Sequence, residues 1–146
     1  MDDLRNSRRI LVIDDNTAAA TTLAKLLALE GHQVTIACDG PSGLERVTLD
    51  RPEIVFLDIA LPDLNGYDVA TQIRTRHGQE VTLVALTGFG QIEDKLRAFE
   101  AGFDHHLTKP ADLATFTALI ASIPPRESRE SERMNGEGIC SDPVRE

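Results

Sequence analysis

No stretch of this 146-residue chain approaches the ~20 consecutive apolar residues that a bilayer-spanning helix needs. Membrane attachment would therefore require a partner or a modification. Basic charge is scarce: 15 Lys and Arg stand against 24 Asp and Glu, for a formal charge of −9. That balance argues against nucleic acid or an anionic membrane as the main partner, since both are gripped by basic surface. Cysteine is nearly absent, and Cys38 and Cys140 have neither zinc-ligand spacing nor a CxxC pairing, so they read as inert thiols. The opening MDDLRNSRR is too polar for a secretory leader, and a cytoplasmic address is expected. There is no internal repeat and no Gly-rich phosphate loop.

The length suits one domain with a proper core, and 41% hydrophobic content fits an ordinary globular chain. Short apolar runs alternate with stretches of helical spacing. ILVI (Ile10 to Ile13) is followed by a helix capped by Asn16 or Thr17, with Leu23, Leu26, Leu27 and Glu30 at helical spacing and Gly31 as its stop. Gln33 to Ala37 alternates as a strand should. Asp39 and Gly40 turn the chain, Pro41 suits a first helical position, and Leu44 and Val47 form the next stripe before Pro52.

IVFL (Ile54 to Leu57) leads into the loop IALPDLNG, then a helix from Tyr67 to Arg76 with Val69, Ala70 and Ile73 inward. VTLVAL (Val81 to Leu86) is the fourth strand, and Ile92, Leu96 and Phe99 mark a fourth helix ended by Gly102. The half-polar FDHHLT (Phe103 to Thr108) is the fifth strand. Ala111 or Asp112 opens a last helix carrying Leu113, Phe116, Leu119 and Ile120, before Pro124 and Pro125. Five strand and helix pairs in alternation predict a parallel sheet covered by helices on both faces. Strands one, three and four suit its centre, and the more polar two and five its edges. The domain is expected over residues 8–123. Residues 124–146, rich in Ser, Arg and Glu, are expected to form a disordered tail, with a segment that folds on a partner as the alternative.

In such a sheet the strand ends share one edge, which gathers Asp14, Asp15, Asp58, Thr87 and Lys109. Three carboxylates together repel, and a divalent cation resolves that repulsion. Oxygen-only ligands favour Mg²⁺ or Mn²⁺ over zinc. Asp58, alone after the central strand, is the nucleophile candidate for attack on phosphorus, and Asp14 with Asp15 looks like the metal-holding pair. Lys109 would neutralise one phosphoryl oxygen, and the Thr87 hydroxyl would hydrogen-bond another.

With these motifs assembled, namely ILVIDDN, IVFLDIALPDLNG, ALTG and LTKP, the chain resembles the receiver domain of bacterial two-component response regulators from Ile10 to Ile123. The resemblance implies an α/β, flavodoxin-like (βα)5 three-layer sandwich with strand order 2-1-3-4-5. It further implies phosphorylation of Asp58 by a histidine kinase or phosphotransfer protein, and metal binding by Asp14, Asp15, Asp58 and the Ala60 main-chain carbonyl. The Thr87 hydroxyl and an aromatic on strand five would form the switch; here His106 holds that aromatic position. Either it fills the same slot as a planar ring, or it titrates and makes the switch pH-sensitive. Ala60 and Phe89 stand where the family tunes water attack on the phosphoryl group. Neither activates water, so a slow loss of phosphate is expected.

No effector pattern follows Ile123. The chain therefore looks like a stand-alone receiver or relay shuttle, or a module of a hybrid histidine kinase, that acts through the exposed face of helix four, strand five and helix five. Two other classes call for different motifs. A phosphatase of haloacid dehalogenase type would need a DxD motif after strand one, where IDDN stands. A flavin carrier would need a phosphate-cradling loop there.

Overall fold

The structure is a computed structural model that describes residues 7–61, 65–88, 99–109 and 111–124. Its elements are β1 (Arg9–Ile13), α1 (Thr17–Leu29), β2 (Gln33–Ala37), α2 (Gly40–Asp50), β3 (Ile54–Asp58), α3 (Gly66–His77), β4 (Thr82–Thr87), β5 (His105–Thr108) and α4 (Leu113–Ser122). A short 3₁₀ turn, Gly78–Glu80, follows α3, and residues 99–101 are helical just ahead of Gly102. The five strands form one parallel sheet in the order β2-β1-β3-β4-β5.

Strand alternation divides the core in two. Leu11, Ile13, Val55, Leu57, Leu83 and Ala85 pack on one face with Leu44 and Val47 of α2 and Val69, Ala70 and Ile73 of α3. Their neighbours Ile10, Val12, Ile54, Phe56, Val84 and Leu86 pack on the other with Leu27 of α1 and Phe116 and Ile120 of α4. Both faces being covered, the central strands read as continuous apolar runs. Phe56 is fully buried and meets Phe116 edge-on at 5.1 Å between centroids. Each such side chain contributes roughly 1.5–3 kcal/mol by leaving water.

Every one of these four helices starts on an Asn or Asp side chain that accepts a main-chain N–H: Asn16 from Ala19, Asp39 from Ser42, Asn65 from Asp68 and Asp112 from Thr115. Such a cap is worth about 1 kcal/mol, and it also fixes where each helix begins above the strand-end edge. Gly31 and Gly102 take φ of +100° and +108° at the expected stops.

Several expectations shift. α2 starts at Gly40, capped by Asp39, so Pro41 is its second residue; it ends on Arg51 with φ of 52° rather than on Pro52. β5 keeps four residues; just ahead of it the Asp104 N–H still donates to the Leu83 carbonyl, but the Leu83 N–H is taken by the Asp104 carboxylate rather than by a main-chain carbonyl. Leu26 is 36% exposed although it shares the helical spacing of buried Leu27, because it sits on the outer flank of the α1 stripe. Phe99, assigned to the stripe of a fourth helix, is 74% exposed. The rest of that helix, including Ile92 and Leu96, lies outside the described residues, as do Pro110 and the tail beyond Pro124.

Candidate functional site

Parallel strands place Asp14, one residue past β1, and Asp58, the last of β3, on one edge. Both are buried, at 4% and 6% exposure, while Asp15 is exposed. One ligand oxygen from each of the three carboxylates falls within 4.8 Å of the others. Lys109 reaches in from the end of β5, its Nζ donating to Asp58 Oδ2 at 3.2 Å and to Asp14 Oδ2 at 3.3 Å.

The two buried carboxylates are held alike. Asp14 Oδ1 accepts the Asn16 N–H at 3.0 Å, and Asp58 Oδ1 accepts the Ala60 N–H at 3.0 Å. One oxygen of each is thus fixed to main chain and the other is left toward the ammonium. The Lys109 N–H donates to the Thr87 carbonyl at 2.7 Å, which ties the lysine to the end of β4. The Thr87 hydroxyl, buried, donates to the Leu107 carbonyl at a long 3.4 Å.

Burial is the largest influence on Asp58 and raises its pKa above the ordinary carboxylate value. The Ala60 N–H and Lys109 oppose that rise, and Asp14 adds to it. For Lys109 burial acts downward, yet the charges of Asp58 and Asp14 and the hydrogen bonds they accept outweigh it and hold the ammonium above its usual range. One ammonium among three carboxylates leaves negative charge in excess. An all-oxygen donor set of that charge suits Mg²⁺ or Mn²⁺.

Comparison with known proteins agrees with this geometry. The response regulator receiver domain family matches residues 10–121. The chain belongs to that family. Response regulator MprA of Mycobacterium tuberculosis is 33% identical over 142 residues, covering 94% of this chain and 61% of the relative. MprA of Mycobacterium leprae is 34% identical over 140 residues, covering 93% and 61%. The receiver therefore spans about three fifths of the length of these curated relatives. Among solved structures, the receiver domain of NtrX from Brucella abortus superposes with a TM-score of 0.69 at 33% identity, covering 77% of this chain and 93% of that one. A CheY-like receiver from Methanospirillum hungatei gives 0.76 at 26% identity, covering 86% and 98%. The flavodoxin-like fold and the two-component class are thus established, and nothing in these matches supports a haloacid dehalogenase phosphatase.

Within this receiver the structure brings Asp14, Asp15, Asp58 and Lys109 together and sets Thr87 beside them through the Lys109 N–H. His106 is half-buried and level with Ala85 in the β4–β5 register. Leu107 packs with the α1 and α4 face, so alternation puts His106 on the opposite face, which Ala85 and Thr87 share. His106 and Thr87 are diagonal neighbours on adjacent strands. Ala60 is exposed beside Asp58, and Phe89 lies outside the described residues.

Two contributions to the site were not read from the sequence. Asn16, expected as one of two possible caps of α1, makes that cap and also donates its N–H to Asp14. Gly66 starts α3 against the end of β3: a Cβ there would lie 2.6 Å from Ile59 Cα and 2.7 Å from the Asp58 carbonyl oxygen. Its signal was the glycine of LPDLNG, a loop residue whose tight neighbour appears only in three dimensions.

Proposed function

We propose that Asp58 accepts a phosphoryl group from a phosphohistidine on a histidine kinase or phosphotransfer protein, and that this alters a protein-binding face. The supporting observation is the shared geometry of Asp58, Asp14 and Lys109. Asp58 Oδ1 accepts the Ala60 N–H, so Oδ2, which among the described residues accepts only from the Lys109 ammonium on its flexible stem, would be the nucleophile. A bond from Oδ2 to phosphorus forms as the phosphorus–nitrogen bond to the donor imidazole breaks, and that imidazole keeps the electron pair and takes up a proton. Lys109 then offers its charge to a phosphoryl oxygen.

Asp14, Asp15 and Asp58, with the Ala60 main-chain carbonyl, would hold Mg²⁺, which when bound neutralises phosphoryl oxygens. The Thr87 hydroxyl has a long and easily exchanged bond to Leu107. Turning it toward the phosphoryl group would free the space into which His106 moves. An open groove of about 570 Å³ between α1 and α4 reaches the site at Asp14 and Lys109 and gives a docking donor access from the side. The exposed face of the predicted fourth helix, β5 and the last helix would carry the signal to a downstream protein. Catalysis is confined to the chain's own phosphorylation and dephosphorylation, in the cytoplasm. With Ala60 and Phe89 unable to activate water, the acyl phosphate should be long-lived.

Labelling with a small phosphodonor such as phosphoramidate tests this reading. One acid-stable, base-labile phosphoryl group per chain should appear with Mg²⁺, map to Asp58, and vanish with EDTA or in Asp58→Asn. Label at another residue, or label that survives EDTA, contradicts it.

A further inference from the structure

The starts of the parallel strands share the edge opposite the carboxylate cluster, and there the two ends of the folded chain are joined. Arg8, just ahead of β1, is 7% exposed. Its Nη2 donates to the Ile123 carbonyl at 2.6 Å and to the Ile120 carbonyl at 3.2 Å, the latter also accepting the Ile123 N–H that closes the last turn. Its Nη1 reaches Glu53 Oε1 at 3.4 Å. The same residue is also held by its backbone: its carbonyl accepts the Gln33 N–H at 2.9 Å, and its N–H donates to Nδ1 of His32 at 3.1 Å.

An imidazole nitrogen accepts a hydrogen bond only while it carries no proton. Protonation at Nδ1 would remove the acceptor and set a second cation against the Arg8 guanidinium. We propose that His32 and Arg8 form a proton-operated latch on the C-terminal end of α4: neutral His32 keeps the last turn fastened to β1, and a proton on Nδ1 releases it. Pro124, the last described residue, follows that turn, so the latch governs how firmly the C-terminal end of α4 is held to β1.

The charged groups facing His32 are Glu30 at the end of α1, Arg8, and Glu53 ahead of β3. α4 itself, LATFTALIAS, carries no titratable side chain, and meets this cluster through Thr117, whose hydroxyl donates to Glu30 at 2.9 Å. Burial holds His32 below its ordinary value of about 6.5, against the upward pull of Glu30 and with the help of Arg8, while Glu53 pulls upward. A lowered value means that the folded state binds its proton less readily than the unfolded chain. The latch is therefore complete above pH ~6.5, weakens as pH falls through that value, and is open below the folded-state pKa.

Hydrogen exchange of residues 113–124, corrected for intrinsic rates and compared at about pH 7.5 and pH 5, reads the latch directly. In the parent, protection of the last turn should fall roughly tenfold on acidification. His32→Asn places Oδ1 where Nδ1 stands and cannot take up a proton there, so it should keep protection at both pH values. Equal acid sensitivity in parent and His32→Asn, or none in the parent, overturns the proposal. Imidazole ¹⁵N shifts give a second reading that needs no variant: at neutral pH His32 should be the Nε2–H tautomer. An Nδ1–H tautomer would equally sink the latch.

Discussion

Lys109 is a single ammonium between two buried carboxylates, and the balance among those charges sets both the stability of the site and its readiness for a cation. Since burial raises the Asp58 pKa, the folded state holds that proton more tightly than the unfolded chain. Stability must then fall as pH rises through the carboxylate range and level off once Asp58 is ionised in both states. Asp58→Asn keeps the acceptor for the Ala60 N–H and carries no charge. In metal-free buffer it should be more stable than the parent at neutral pH, with the advantage shrinking toward acid; urea titrations at several pH values measure this. An advantage that stays constant with pH would mean that Asp58 is not the strained carboxylate. Lys109→Ala leaves Asp14 and Asp58 facing each other. With the lysine side chain 37% exposed, the loss should be roughly 1–3 kcal/mol, below that of a fully buried pair.

At the scale of the elements, what positions Asp58 is the close seating of α3 on the end of β3. Gly66→Ala drives a methyl into the Ile59 and Asp58 backbone, which cannot move aside as a flexible side chain could. It should cost about 1–3 kcal/mol and slow phosphorylation by displacing Asp58. Gly31→Ala is the comparison: its φ of +100° is strained for alanine, but nothing lies within 4 Å, so stability should fall while the rate per folded molecule holds. A Gly66→Ala protein with full labelling rate would show that this contact does not position the site.

The same contrast explains what could be read beforehand. Buried β1, β3 and β4 announce themselves because both faces are covered, and the strand-end residues follow from the parallel order they impose. Arg8 and Arg74 left no such trace. Arg74 reaches the Gly102 carbonyl at 2.9 Å, the Val81 carbonyl at 2.6 Å and the Asp104 carboxylate at 2.6 Å, which joins α3 to the segment ahead of β5. Bonds from a guanidinium to carbonyls distant in sequence have no spacing to detect. Gly66 was hidden for a related reason, since its neighbour is backbone brought near by folding.

For the whole molecule, a net charge of −9 means that any cation relieves general repulsion, so site binding must be separated from screening. Mg²⁺ held by Asp14, Asp15 and Asp58 would bind the folded chain alone, because the unfolded chain separates Asp58 from the Asp14–Asp15 pair. Binding of that kind adds about 1.4 kcal/mol at ten times the dissociation constant. Na⁺ at matched ionic strength should supply the screening part without this increment. Asp15→Asn separates the two, since Asp15 is exposed and its loss leaves the Lys109 pairs intact. The parent's melting temperature should rise more in Mg²⁺ than in matched Na⁺, and the excess should largely disappear in Asp15→Asn while the Na⁺ response remains. If the excess survives in Asp15→Asn and also in Asp58→Asn, the cation is acting on the surface as a whole. The three carboxylates would then have no claim to a specific site.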